Sequence, residues 1–154
     1  MIGYFAYGSN MSPALMRRRC PDAVARGRAR LDGWRFVIMA AGFASIVPDQ
    51  GSSVHGVLWS VAPRDLAALN AYESVDSGLY VRRVLPVRCD TRIEPALVYV
   101  GTNRAAGRPR PGYQSIVVAA AERWGLPPGY VGMLGRHGAP GQLGRWAPET
   151  GEVR

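Results

Sequence analysis

The sequence predicts an α+β fold, a small mixed β-barrel with flanking helices. Segments rich in β-branched and aromatic residues recur along the chain, separated by short turns that contain glycine, proline, asparagine or aspartate. One strongly amphipathic helix follows the last of these segments. The 154 residues are enough for one domain with a buried core, and no linker or internal repeat divides them. We expect roughly six strands in a closed or nearly closed barrel.

The first predicted strand, residues 2–7, leads into the polar turn formed by residues 8–10 (the 8–10 loop). Ser12 is a candidate N-cap, and the helix that it caps begins at Pro13. Backbone N–H groups of a loop between a strand and a helix can bind a carboxylate or a developing oxyanion. The same pattern also fits an ordinary structural corner. Its glycine spacing matches neither a phosphate-binding loop nor a dinucleotide fingerprint.

Several strands are predicted before the next helix, at residues 23–31, 34–40, 44–47 and 54–61. Asp32 and Gly33 form a dipeptide typical of hairpin turns, which predicts a hairpin between the first two of these strands. Residues 48–51 predict a turn between the last two. Gly56 indicates a bulge or a close approach of another backbone segment.

The second half of the chain predicts two further strands and two long helices. A helix over residues 62–73 places Leu66, Leu69 and Glu73 on one face, and strands follow at 79–89 and 95–100. Pro86 indicates a strand edge or a bulge. The amphipathic helix 113–124 ends at Gly125, and a further helical turn is predicted at 130–136. We assign residues 1–136 to the domain and residues 137–154, rich in glycine and proline, to a C-terminal tail.

Charge and composition limit the classes of function. All 19 basic residues are arginine against 11 acidic residues, which gives a net charge of +8. A basic chain raises the question of a nucleic-acid-associated domain, which a salt-dependent gel shift would detect. Because the arginines are dispersed, we expect no nucleic-acid partner. Without a signal peptide or a long apolar run, we expect a cytoplasmic protein that has no membrane partner.

Metal and nucleophile chemistry find little support in the residue pattern. The histidines, His55 and His137, stand apart from any cluster with ligand spacing, so no metal site is expected. Ser9 lacks the second glycine of a nucleophile elbow. Cys20 and Cys89 have no metal-type spacing; we expect them to be reduced, and a disulfide between them stays open.

Glu73 is the carboxylate that the predicted helix places on its apolar stripe. Burial and the negative end of the helix dipole both disfavour its ionised form, which predicts a raised pKa. A carboxyl group of that kind suits general acid–base catalysis. The alternative is a structural ion pair with Arg82 or Arg83 across the following loop.

Several stretches in register resemble the γ-glutamylcyclotransferase family, including its AIG2-like relatives. They are YFAYGSNM (4–11), LNAYESV (69–75) with GLYVRR (78–83), VYV (98–100) and residues 113–127, which end in ERWGLP. The chain departs from the family pattern at Asn70, where aspartate is usual, and at Ser74, where glycine is usual.

The resemblance implies an enzyme that cyclises a γ-glutamyl amino acid or amine to 5-oxoproline and releases the amine. Glu73 would be the general acid–base, and neither cofactor nor metal would be needed, because the nucleophile belongs to the small-molecule substrate. The resemblance implies a substrate site made of Tyr4, Phe5, Ala6, Tyr7, Gly8, Ser9, Asn10, Tyr80, Tyr99 and Tyr113. Each of the last three also has a core-packing interpretation, strongest for Tyr113. A non-catalytic small-molecule-binding or interaction protein on the same fold is the alternative.

Overall fold

A computed structural model describes residues 1–103 and 105–137 of the chain. In this part, five strands close into a barrel in the order β1-β3-β2-β4-β5, which confirms the predicted α+β mixed barrel. The strands are β1 (Ile2–Ala6), β2 (Val24–Ile38), β3 (Ala44–Val61), β4 (Tyr80–Cys89) and β5 (Arg92–Gly101). The helices are a 3₁₀ turn (Ser9–Met11), α1 (Pro13–Arg19), α2 (Pro63–Tyr72), α3 (Tyr113–Trp124) and α4 (Pro128–His137).

Strand pairing divides the barrel into a three-stranded sheet and a hairpin. β3 pairs antiparallel with both β1 and β2, and β4 pairs antiparallel with β5. The hairpin joins the sheet through one residue pair on each side. These pairs are Tyr4 with Leu97, in parallel orientation, and Arg30 with Arg88, in antiparallel orientation.

The predicted hairpin at Asp32 and Gly33 is wrong. Both flanking segments belong to β2 and pair with β3, and the register shifts between Asp32 and Trp34. Gly33 has a φ of +85°, so the glycine serves a β-bulge within one long strand. The predicted turn at 48–51 likewise lies inside the continuous strand β3. The barrel therefore has fewer and longer strands than the sequence predicts.

The other predicted elements are present with small changes in their bounds. The hydroxyl of Ser12 accepts a hydrogen bond from the N–H of Leu15 at 3.4 Å, as expected of an N-cap. α3 ends at Gly125, whose φ of +69° is that of a left-handed helix cap. α4 is a ten-residue helix rather than one turn. It ends at His137, and the remainder of the predicted tail, residues 138–154, lies outside the described residues.

The core fills the barrel and the space beneath the helices. Phe5 of β1, Leu58 of β3 and Val98 of β5 are buried inside it. α3 packs on the outside, where the rings of Trp124 and Trp59 meet edge to face at 6.1 Å. The indole N–H of Trp124 donates to the carbonyl of Met11 at 2.8 Å. This bond ties α3 to the 3₁₀ turn that follows β1.

The structure also bears on the cysteines and on membrane association. Cys20 and Cys89 are both free thiols, and Cys20 is buried. Burial, reinforced by the nearby charge of Asp65, raises the pKa of the Cys20 thiol to about 11. Within 1–103 and 105–137, the helices are too short or too polar to cross a membrane.

Gly56 lies on β3 next to Val57, which pairs with Ala6 at the end of β1. A Cβ atom at this position would lie 2.2 Å from the carbonyl oxygen of Ala6 and 3.0 Å from the ring of Phe5. The close backbone approach expected at Gly56 is therefore confirmed. Because backbone cannot move as easily as a flexible side chain, we expect Gly56→Ala to lower the free energy of unfolding by about 1–3 kcal/mol or more. Urea denaturation measures the loss.

Gly129→Ala is the matched control, since a Cβ at Gly129 in α4 would meet nothing within 4 Å. Helix propensity predicts unchanged or slightly higher stability for this variant, by up to about 1 kcal/mol. Equal effects of the two substitutions would contradict the close approach at Gly56.

Candidate active site

A polar cavity opens at one end of the barrel. Its volume is about 350 Å³, including the open mouth. It is lined by Tyr4, Phe5, Tyr7, Gly8, Ser9, Asn10, Ala44, Tyr72, Glu73, Tyr80, Tyr99 and Tyr113. The structure thus brings together the predicted site residues with one exception. Ala6 is buried in β1, where it pairs with Val57, and does not line the cavity.

The 8–10 loop forms one wall of the cavity. After β1, the chain turns at Gly8 into the 3₁₀ turn, with Met11 N–H donating to the Gly8 carbonyl at 3.1 Å. A Cβ at Gly8 would lie 2.8 Å from the hydroxyl oxygen of Tyr113 and 3.3 Å from the Cβ of Ala44. The absence of a side chain therefore lets the loop contact both residues.

Ala44 holds two tyrosines at the cavity through its own peptide groups. Its N–H donates to the hydroxyl of Tyr113 at 3.2 Å, and its carbonyl accepts from the hydroxyl of Tyr80 at 2.6 Å. Both rings are buried, so these bonds satisfy hydroxyl groups that water does not reach.

Further hydrogen bonds connect Tyr4, Tyr7 and Tyr99 to neighbouring parts of the fold. Tyr7 donates to the carbonyl of Tyr99 at 2.5 Å, and the Tyr99 hydroxyl donates to the side-chain oxygen of Asn70 at 2.7 Å. The hydroxyl of Tyr4 accepts from the side-chain nitrogen of Asn10 at 2.9 Å. The rings of Tyr4 and Tyr99 pack edge to face at 5.8 Å. These bonds link β1, β5, α2 and the 8–10 loop.

Glu73 lies one residue beyond the end of α2, as its C-cap, rather than in its last turn. Its N–H donates to the carbonyl of Leu69 at 2.8 Å, and Glu73 lines the same cavity as Gly8 and Ser9. Burial, followed by the charge of Glu73, raises the pKa of the Tyr4 and Tyr7 hydroxyl groups well above their usual value. Both phenols are therefore even harder to ionise than an exposed tyrosine, which is itself neutral at physiological pH.

The alternative partners of Glu73 lie on β4. Arg82 and Arg83 are exposed, and the guanidinium of Arg83 lies 5.5 Å above the ring of Trp34 on the outside of the barrel. The charge of Arg82 lowers the pKa of Tyr99, although burial and the charge of Glu73 raise it overall. The guanidinium of Arg83 thus has an aromatic partner on β2.

Arg19 is a site residue that sequence reasoning missed. Its guanidinium lies 3.5 Å from the centre of the Tyr72 ring and donates to the side-chain oxygen of Asn10 and, at 3.5 Å, to the Ser9 hydroxyl. Burial lowers the pKa of Arg19 below its ordinary value, although the nearby phenols and Glu73 partly oppose this shift. The available signal was its position, since side chains in a helix point back towards its N-terminus. Here that end of α1 adjoins the 8–10 loop.

Ala44 and Tyr72 also line the cavity without having been predicted. Tyr72 directly precedes Glu73, and this adjacency was the signal available for it. Ala44 contributes through its backbone, which no side-chain pattern indicates. Among residues 1–103 and 105–137, histidine, cysteine, aspartate and glutamate form no group of three or more that could hold a metal ion.

Comparisons with known proteins agree on one family. The family model described as "Gamma-glutamyl cyclotransferase, AIG2-like" matches residues 4–124. A γ-glutamylcyclotransferase from mouse (Mus musculus) is 31% identical over 140 residues, covering 82% of this chain and 73% of the relative. The human (Homo sapiens) γ-glutamylcyclotransferase is 31% identical over 137 residues, covering 80% and 72%. A solved structure of a γ-glutamyl cyclotransferase has a TM-score of 0.83 at 28% identity, covering 99% and 93%.

The contact between Gly8 and Tyr113 allows a direct test of the loop geometry. Because the Cβ of Gly8→Ala would collide with the Tyr113 hydroxyl, this substitution should destabilise the fold by about 1–3 kcal/mol. In a Tyr113→Phe background the hydroxyl is gone, so the same substitution should cost measurably less. Denaturation of the four proteins in the double-mutant cycle gives the coupling free energy.

A coupling free energy close to zero would contradict the close contact. Gly129→Ala, combined with Tyr113→Phe, serves as the control, because a Cβ at Gly129 would meet nothing within 4 Å. These two substitutions should be additive.

Proposed function

Because the chain belongs to the γ-glutamyl cyclotransferase, AIG2-like family, we propose that it cyclises a γ-glutamyl amino acid or amine to 5-oxoproline. One observation carries the proposal: Glu73 lines the same cavity as Gly8, Ser9 and Asn10. A carboxylate and a loop of hydrogen-bond donors are the groups that an intramolecular acyl transfer needs. The cavity also offers several neutral hydroxyl groups to a small polar substrate.

In the proposed mechanism, the substrate supplies its own nucleophile. Glu73 accepts a proton from the α-ammonium group, and the freed amine attacks the γ-carbonyl carbon to close a five-membered ring. The bond between that carbon and the leaving nitrogen then breaks. Over the reaction the ring nitrogen loses two protons and the leaving amine gains two, so no proton is consumed. Glu73 carries protons from the first nitrogen to the second.

The 8–10 loop and the tyrosines would hold the substrate in the reactive geometry. Binding the ammonium beside Glu73 and the γ-carbonyl within reach of the amine turns the closure into a reaction between pre-positioned groups. Arg19, through Asn10 and Ser9, would fix the loop as a positioning residue. The raised pKa of Tyr4 and Tyr7 supports their role as neutral hydrogen-bonding groups. No cofactor enters the reaction.

Replacement of Glu73 tests its role as the acid–base. Glu73→Gln keeps the shape of the side chain but cannot exchange a proton, so the release of 5-oxoproline should fall by about 10²- to 10⁴-fold. The melting temperature should stay close to that of the parent protein. Glu122→Gln is the matched control, since Glu122 is exposed on α3, and its turnover should be unchanged. Turnover of Glu73→Gln within a few-fold of the parent would assign Glu73 a structural role.

A modified substrate separates cyclisation from hydrolysis. A γ-glutamyl dipeptide acetylated on its α-nitrogen has no free amine, so it should not be cleaved. A hydrolase that used water as nucleophile would still cleave it and release N-acetylglutamate. Mass spectrometry of the products, with the unmodified dipeptide as control, distinguishes the two reactions. Cleavage of the acetylated compound at a comparable rate would rule out the cyclotransferase.

A further inference from the structure

A second groove on the protein is rich in arginine. Its volume is about 740 Å³, including open solvent at its mouth. Its lining residues include Arg28, Arg30, His55, Arg88 and residues 125–127, which connect α3 to α4. None of its lining residues belongs to the cavity that contains Glu73. This surface (the basic groove) is therefore separate from the candidate active site.

The arginines of the basic groove lie on the outer face of the barrel. Arg28 and Arg30 flank the buried Ala29 on β2, and Arg88 follows the buried Val87 on β4. Since side chains alternate along a strand, all three arginines point away from the core. Arg30 and Arg88 are also paired across the two strands. Like charges directly opposite each other destabilise a sheet, so this pair costs stability in the absence of an anion.

The guanidinium groups keep donors available to a ligand. One nitrogen of Arg28 donates to the carbonyl of Gly125 at 3.0 Å, and the Nε of Arg30 lies 2.7 Å from a carboxylate oxygen of Asp32. The Nε of Arg88 is buried, and no group among residues 1–103 and 105–137 accepts a hydrogen bond from it. Each guanidinium has five N–H donors, so these contacts leave most of them unused.

The charges around the basic groove favour an anion. Among its described lining residues, Asp90 carries the one carboxylate, against three guanidinium groups. The neighbouring Asp32 also accepts a hydrogen bond from the hydroxyl of Ser53 at 2.7 Å. Burial lowers the pKa of His55, and the charge of Arg30 lowers it further than Asp32 raises it. The imidazole thus lies in a positive electrostatic environment.

The N-terminus of α4 adds to this positive environment. Pro127 lines the basic groove, and its carbonyl accepts from the N–H of Val131 at 3.0 Å, the first bond of the helix. Proline has no side-chain oxygen with which to cap the helix. The first N–H groups of a helix lack intrahelical partners and form the positive end of its dipole.

We propose that the basic groove binds the phosphate group of a small molecule through Arg28, Arg30 and Arg88. A phosphate group presents three or more oxygens and up to two negative charges, and guanidinium groups bind it in a bidentate manner. A single carboxylate has two oxygens and one charge, which match one guanidinium rather than three. Phosphate would also offset the repulsion between Arg30 and Arg88.

An adjoining groove offers room for the remainder of a phosphate ester. It shares His55 and Pro127 with the basic groove and is also lined by Phe36, Tyr130 and Met133. The rings of His55 and Tyr130 meet edge to face at 4.8 Å. Inorganic phosphate and a nucleoside monophosphate share the group that the arginines recognise, and the second also has an aromatic body that would pack here.

NMR titration tests the proposal site by site. Inorganic phosphate and adenosine monophosphate are added at constant ionic strength to the parent protein, to Arg88→Gln and to the matched control Arg17→Gln. Arg17 is an exposed arginine of α1 that does not line the groove. Saturable shifts are expected at the amides of Arg28, Arg30, Arg88 and Leu126. Arg88→Gln should weaken binding about 10- to 100-fold, the range for hydrogen bonds to charged groups, and Arg17→Gln should leave it almost unchanged.

The two ligands identify the source of the phosphate. Tighter binding of adenosine monophosphate would assign the site to a phosphate ester, and equal affinity would assign it to the phosphate group alone; both results support the proposal. Glu73→Gln should bind either ligand as the parent does, so the result is independent of the proposed function. Thermal melting establishes that each variant is folded. If Arg88→Gln does not fold, Arg30→Gln replaces it, with the same expected loss.

Several results would overturn the inference. One is the same shifts with chloride at matched ionic strength, and another is equal losses for Arg88→Gln and Arg17→Gln. Shifts confined to the 8–10 loop would place the anion in the cavity instead. An RNA oligonucleotide that binds more tightly than adenosine monophosphate and shifts amides on every basic face would replace the small molecule with nucleic acid.

Discussion

Hydrogen bonds of buried tyrosine hydroxyls hold together the elements that surround the cavity. Tyr80 joins β4 to β3, Tyr113 joins α3 to β3, and Tyr99 joins β5 to α2. A buried hydroxyl without a partner costs about 1–3 kcal/mol, so each ring can be buried only where the other element supplies one. The bonds that join these elements are therefore also the bonds that orient the groups of the site. Stability and site geometry depend on the same atoms.

Arg19 is a charged residue that supports the site through contacts with residues that line the cavity. Its guanidinium stacks on Tyr72 and donates to Asn10 and Ser9, so it connects α1, the 8–10 loop and the end of α2. Lysine would carry the same charge without the planar face that stacks or the fixed set of donors. The composition of the chain, which uses arginine throughout, conceals this role, because one arginine among 19 basic residues looks like surface charge.

Local sequence patterns predicted those elements that neighbouring residues determine. Strand β1 and helix α3 followed from periodicity and caps, and Glu73 was predicted in the last turn of α2, one residue before its actual position as the C-cap. The β-bulge at Gly33 was not predicted, because an Asp-Gly pair can form either a hairpin turn or a bulge. Only the pairing of both flanking segments with β3 distinguishes the two. Ala44 escaped prediction for a related reason. Its contribution is a peptide group whose position depends on the whole barrel.

The attachment of the β4–β5 hairpin has a consequence for motion. Ten residue pairs hold the two strands to each other, whereas one pair on each side joins them to β1 and β2. Such a unit can open locally at a free energy below that of global unfolding, and its outer amides should exchange with solvent before those between β2 and β3. Because Tyr80 and Tyr99 sit on this hairpin, its opening would break their hydrogen bonds to Ala44 and Asn70 and widen the cavity. The barrel would then combine a firmer part, in which β2 and β3 pair, with a more compliant hairpin that bears two of the cavity tyrosines.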